Sequence, residues 1–194
     1  SMLCASDPEN GPAVTSGAGN AADFYSRNAV RRSNYLFSTG NYTDYNAAYH
    51  NPGLATNQRG VFGNDGAATI GDILDGSSNT IAVGESKQLG KGGAANSTTE
   101  TTAFGPYWGA GVHTCCHGYT PFNDIRFTIN GRYNTTATSS VPLQYAWGMG
   151  SYHVGGAHFL MADGATRFIN ETIDYIGVFQ YLNRVRDGKQ MTNF

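Results

Sequence analysis

The chain has 194 residues, with 12 Lys plus Arg against 14 Asp plus Glu and a formal charge of −2. That balance excludes the basic face a nucleic-acid or anionic-membrane binder needs, and no apolar run reaches the roughly 20 residues of a membrane helix. Charged residues make up only 13%, about half the usual share, so hydroxyl, amide and glycine residues must form the surface, a composition that favours a place outside the cytoplasm.

In chain order, Ser1-Met2 reads as a tag-cleavage remnant, which makes a cut from a longer protein the expectation. Residues 1–60 are loop-rich, and residues 61–194 carry the expected core of a single extracytoplasmic globular domain spanning 1–194. Thr69 with Asp72 has capping-box form. Ile70, Ile73 and Leu74 are expected on one face of a short helix, which Gly76 ends in a left-handed conformation. Thr80–Glu85 predicts a strand with Ile81 and Val83 on one face. Lys87–Thr102 is a low-complexity loop. An aromatic, glycine-rich stretch with Tyr107, Trp108 and Tyr119 comes next, and "DIRFTING" predicts another short strand.

"SYHVGGAHFLMADGATRFINETID" (151–174) is the most informative segment. Ala157–Ala162 is apolar enough for a buried strand. Asp163-Gly164 is a strong hairpin signal and points to a type I′ turn, with Ala165–Ile169 as the returning strand. A helix capped by Thr172 or Asp174 is predicted next, with Ile176, Phe179, Leu182 and Val185 as its apolar stripe and Gly188 as its stop. The fold class is therefore α+β: an antiparallel sheet with long loops, a C-terminal hairpin and a helix after it.

Four constellations could carry chemistry. His153 and Asp163 look like a catalytic pair, but the intervening strand spans roughly 17–20 Å and a His–Asp hydrogen bond needs about 2.6–3.2 Å. Asp163-Gly164 is thus expected to shape the turn, while His153, Gly155 and Gly156 shape the approach to the strand. "HTCCH" offers His113, Cys115, Cys116 and His117 as zinc ligands, and Cys4 or His50 could supply a distant ligand, yet five consecutive residues cannot readily surround a tetrahedral ion, and no transition metal or cofactor is expected in the protein. Three cysteines leave at least one thiol unpaired within the chain; a bridge from Cys4 to Cys115 or Cys116 and three reduced thiols are both open. Asp65, Asp72, Asp75 and Glu85 would suit calcium, although capping and turn formation account for each of them. No nucleophile elbow, zincin motif or phosphate loop is present, so no catalytic residues are assigned and no enzyme is expected.

Four ordered stretches carry a resemblance: "LCASDPEN", "ILDGSSNTIAVGES", "WGAGVH" and the segment from Ser151. Together they resemble the bacterial prepilin-type proteins with a C-terminal H-x9-D-G motif, long classed as a domain of unknown function and in some classifications labelled solute-binding. His153, Asp163 and Gly164 fall on that motif. Asp75, Gly76, Ser78, Asn79, Thr80, Gly84 and Glu85 fall on the family's D-G-x-S-N-T-x-x-x-G-E, whereas Ala5 stands where the family often has Pro. The resemblance implies a pilin- or pseudopilin-like head displayed by an N-terminal helix. Its implied role is structural and non-enzymatic, outside the cytoplasm at the cell surface or in the periplasm. Its partners would be copies of itself or other pilin-like subunits, with no nucleic acid. The alternative is a binding module that grips a carbohydrate or other small solute through Trp108, Tyr107 and Tyr119.

Overall fold

A computed structural model describes residues 3–7, 33–40, 48–51, 56–87, 118–119 (backbone only), 127–131, 148–189, 191 and 194. Among the described residues seven strands are present, in chain order: β1 (Tyr35–Ser38), β2 (Phe62–Gly63), β3 (Gly66–Ala67), β4 (Ile81–Glu85), β5 (Gly118–Tyr119), β6 (Gly156–Met161) and β7 (Thr166–Asn170). The main sheet has the order β5-β1-β4-β6-β7, and β2 with β3 forms a separate two-stranded ribbon. β1, β4, β6 and β7 run antiparallel to their neighbours, and β5 lies parallel beside β1. The class is α+β, as the periodicity implies. No helix among the described residues is long and apolar enough to cross a membrane.

The core forms two hydrophobic clusters. Leu36, Ile81, Met149, Ala157, Phe159, Met161 and Ile169 pack with Tyr175, Phe179 and Leu182 of the C-terminal helix. A second cluster joins Val61, Ile73, Ala82 and Val185. β4 feeds both clusters: Ile81 enters the first and Ala82 the second by strand alternation, and its register against β6 shifts between Ile81 and Val83. The expectation that Ile81 and Val83 share a face is corrected here: such a bulge puts an extra residue on one strand and re-aims the side chains beyond it. Ile81 enters the main core, whereas Val83 packs against the second cluster.

The hairpin forms where expected, with the pairs Ala157↔Ile169 and Phe159↔Arg167 at its centre. Its turn is not type I′, which needs positive φ at both central residues. Of the Asp-Gly pair only Gly164 has positive φ, at 89°. Gly164 N donates to Met161 O (3.0 Å) and Met161 N to Ala165 O (2.8 Å), so a tight turn leads into one left-handed residue. Asp163 instead uses its side chain, Oδ1 accepting from Ala165 N at 2.8 Å.

Three other local expectations change. Thr69 and Asp72 do form their box, with Thr69 N and Oγ1 both donating to Asp72 Oδ2, and this carboxyl sits below its ordinary value because of those bonds. The element is a single 3-10 turn, Ile70–Asp72, too short to present one face, so Ile73 is buried while Ile70 and Leu74 are exposed. Gly76, at φ 98°, precedes a second such turn, Ser77–Asn79. Within "DIRFTING", the described residues Phe127–Gly131 form a turn rather than a strand, since Asn130 has φ 62° and Gly131 N donates to Thr128 O. The C-terminal helix is capped by Asp174, whose Oδ1 accepts from Gly177 N at 2.9 Å. It opens as a π-helical stretch, Tyr175–Phe179, and continues as α1 (Gln180–Leu182). The wider first winding turns Ile176 out to solvent and Tyr175 inward. Val185 lies beyond the helix, where its carbonyl accepts from Leu74 N and Asp75 N.

Two glycines are fixed by geometry. A Cβ on Gly164 would touch nothing within 4 Å, so Gly164→Val should cost about 1–3 kcal/mol through backbone strain alone. A Cβ on Gly84 would meet Met149 Sδ at 2.5 Å and the Phe159 ring at 2.8 Å. Gly84→Ala should therefore cost a similar amount, about 1–3 kcal/mol, by overfilling the core. Denaturant midpoints measure both, and an unchanged midpoint for either variant would refute its assignment.

Candidate functional site

His153 and Asp163 occupy opposite ends of β6. Asp163 is at the exposed hairpin tip, and His153 meets a different carboxylate: its Nε2 lies 3.4 Å from Glu85 Oε1. Glu85 is the last residue of β4 and is only 6% exposed. Its other oxygen, Oε2, accepts from His158 N at 2.7 Å, and the Cys4 thiol points at Oε1 from 3.8 Å. Cys4, Glu85 and His153 thus bring one sulfur, one oxygen and one nitrogen within 4.8 Å of one another.

Each is held from behind. Cys4 N donates to Asn34 Oδ1 (2.8 Å), and Asn34 Nδ2 donates to Asp7 Oδ2 (2.6 Å). His153 N donates to Ser151 Oγ, which in turn donates to Gly156 O. The His153 ring stands edge-on to His158 at 5.0 Å, and His158 stands edge-on to Phe168 at 5.1 Å. Gly155 takes positive φ and accepts from Glu171 N, which folds the chain from His153 into β6. Gly156 approaches β7 so closely that a Cβ would collide with Ile169 O. A small cleft of about 10 Å³ opens beside Cys4, Glu85, Asp7, Asn34 and Ser151. Around it, Tyr35 is raised above its ordinary value by burial and by the nearby Cys4 and Glu85. Lys87, whose ammonium lies 5.1 Å from the Tyr152 ring, is lowered mainly by burial.

The second half of the resembling motif has its own place. Asp75 is 3% exposed, and its oxygens accept from Asp187 N (2.6 Å) and Gly188 N (2.9 Å). Asn79 N and Thr80 Oγ1 both donate to Gly76 O. This turn docks against the hairpin tip: Asp163 N donates to Ser77 O and Ala162 N to Thr80 O. Among the described residues, Asp65, Asp72, Asp75 and Glu85 do not converge into one oxygen cage. Trp108, Tyr107 and the "HTCCH" run with Cys115 and Cys116 lie outside the described residues, and Tyr119 is described only as backbone of β5. Cys4, Asn34, Ser151 and His158 are partners of Glu85's surroundings that sequence reasoning misses. No local signal could have found them, since 73 residues separate Glu85 from His158 and 81 separate it from Cys4.

Residues 1–175 match the family model SBP_bac_10, described as "Protein of unknown function (DUF1559)". The chain belongs to this family. No curated protein and no solved structure matches it. In this DUF1559 chain three acidic residues of the resembling stretches accept from backbone amides: Asp75 from those of 187 and 188, Glu85 from that of 158, Asp163 from that of 165.

These roles can be tested by stability. Glu85→Ala leaves the half-buried His158 N–H without its acceptor and should destabilise the protein by about 1–3 kcal/mol. Asp163→Ala, at an exposed turn, should cost less, and urea denaturation separates them. Asp187 is raised above the ordinary carboxylate value of 3.8, chiefly by burial and also by Asp75. A raised folded value means the folded state binds more protons, so this group's contribution is full below pH 3.8 and lost as pH rises through its folded value. Relative to Asp187→Asn, the wild type should therefore lose stability as pH increases above about 4. A pH-independent difference between the two would contradict this.

Proposed function

We propose that this domain is the non-catalytic, extracytoplasmic head of a pilin- or pseudopilin-like surface protein, and that it works by assembling with copies of itself or with similar subunits. The observation that carries the reading is the use made of the motif carboxylates. Catalytic carboxylates face substrate, whereas Asp75, Glu85 and Asp163 are each engaged by main-chain N–H groups, which is how a fold is fixed.

The outer face of the hairpin supports the assembly part. Leu160 and Phe168 are 41% and 45% exposed on adjacent strands, and Val154 is 97% exposed nearby. Among the described residues β7 pairs only with β6, so it offers a sheet edge that another subunit could continue.

The test is immunogold electron microscopy of cells expressing the native full-length protein. Labelled filaments or surface assemblies are expected, and the pair Leu160→Lys and Phe168→Lys should abolish them while leaving the thermal midpoint of the isolated head within a few degrees. Dispersed label, together with a glycan-array hit lost in Trp108→Ala, would replace assembly with solute binding.

A further inference from the structure

We propose that Cys4, Glu85 and His153 are a three-ligand site for a borderline divalent cation of the zinc type. The inference is independent of the assembly reading above.

The donor set is the first argument. A thiolate, an imidazole nitrogen and a carboxylate oxygen are the three side-chain ligands zinc takes, at about 2.3, 2.0–2.1 and 2.0–2.2 Å. Oxygen-seeking ions such as calcium and magnesium would have no use for the sulfur and nitrogen. The ligands come from three separated segments, which can surround an ion as five consecutive residues cannot.

Spacing is the second argument. Tetrahedral zinc with those bond lengths sets ligand–ligand edges of about 3.3 Å for N···O and about 3.5 Å for S···O. Two observed edges are 3.4 Å from His153 Nε2 to Glu85 Oε1 and 3.8 Å from Cys4 Sγ to the same oxygen, and the third, between Cys4 and His153, lies within 4.8 Å and has to close on the ion. A direct imidazolium–carboxylate hydrogen bond closes to about 2.7–2.9 Å. At 3.4 Å the pair is an ion pair longer than that bond and close to the N···O edge a shared ion would set.

Support behind the ligands is the third. Glu85 Oε2 is fixed by His158 N, which leaves Oε1 to face the other two donors. The backbone of Cys4 is fixed by Asn34, and that of His153 by Ser151. Anchored ligands of this kind lose little freedom when an ion arrives. A fourth position is available from the cleft against Cys4 and Glu85, whose roughly 10 Å³ is about the room one water needs. On binding, the Cys4 thiol proton leaves to solvent and the thiolate takes its place on the ion. The cation also answers the buried charge of Glu85, and it clips residues 3–7 to the end of β4.

The experiment uses the whole chain, reduced with a phosphine, stripped of metal and titrated with Zn2+ and then Co2+. One equivalent should bind, and Co2+ should give a thiolate-to-metal charge-transfer band with tetrahedral d–d bands. Cys4→Ser should remove the charge-transfer band. His153→Gln should weaken binding at least about tenfold, the lower range for disturbing a metal site. Both positions are only partly buried, and far-UV circular dichroism checks their folding. The double variant Cys115→Ser/Cys116→Ser should bind as the wild type does. The proposal is overturned by a reduced wild type that takes up no metal, by a charge-transfer band that survives Cys4→Ser, or by loss of uptake only in the Cys115/Cys116 variant. Peptide mapping that finds Cys4 in a disulfide in metal-free protein as isolated overturns it equally.

Discussion

A carboxylate taken out of water costs several kcal/mol unless its oxygens are met by donors, and Glu85 sets that demand at the end of the central strand. One oxygen takes the amide of His158, so β6 is bound to β4 by a side chain where the regular ladder has given way. The other oxygen draws His153 and Cys4 toward it. The main chain of the same residue accepts from Gly150 N, and the neighbouring Ser86 hydroxyl donates to Gly148 O. Three segments far apart in the chain therefore share one small region, and the polar network there is high in consequence because it is buried.

Asp75 repeats the device at the opposite end of β4. It receives two successive amides after the C-terminal helix, and Val185 bonds back to Leu74 and Asp75 through its carbonyl. The turn just after Asp75 holds the tip of the β6–β7 hairpin through Ser77 O and Thr80 O. The two long-range carboxylates thus bracket a five-residue strand, Ile81–Glu85, whose side chains feed two hydrophobic clusters. Its ends are tied by charge-assisted bonds, which are about twice as strong as neutral ones.

Much of this architecture is legible from local patterns. The Asp-Gly pair between apolar runs locates the hairpin, Thr69 with Asp72 locates a cap, and Thr172 or Asp174 locates the start of the last helix, the structure choosing Asp174. The misplaced details have long-range or geometric causes. The bulge that separates Ile81 from Val83 is set by pairing with β6, which no period along β4 reveals. The π-wound opening of the C-terminal helix rotates Ile176 outward, so an ideal 3.6-residue stripe misassigns it. The site is less legible than the fold. His153 and Glu85 each stand out for their place in a motif, but Asp163 is the nearer acidic candidate for the histidine along the chain, and the sheet order that brings β4 beside β6 is a tertiary fact.

The attachment of residues 3–7 carries a mechanical consequence. Cys4 and Asp7 are bonded to Asn34, Asn34 O accepts from Ser86 N, and these residues sit where β1 meets β4. Tension applied to the chain at residue 3 is therefore delivered to the middle of the five-stranded sheet rather than to either margin. It loads the β1–β4 seam and the Glu85 cluster together, so the fold would resist a pull from that side as one body instead of peeling strand by strand.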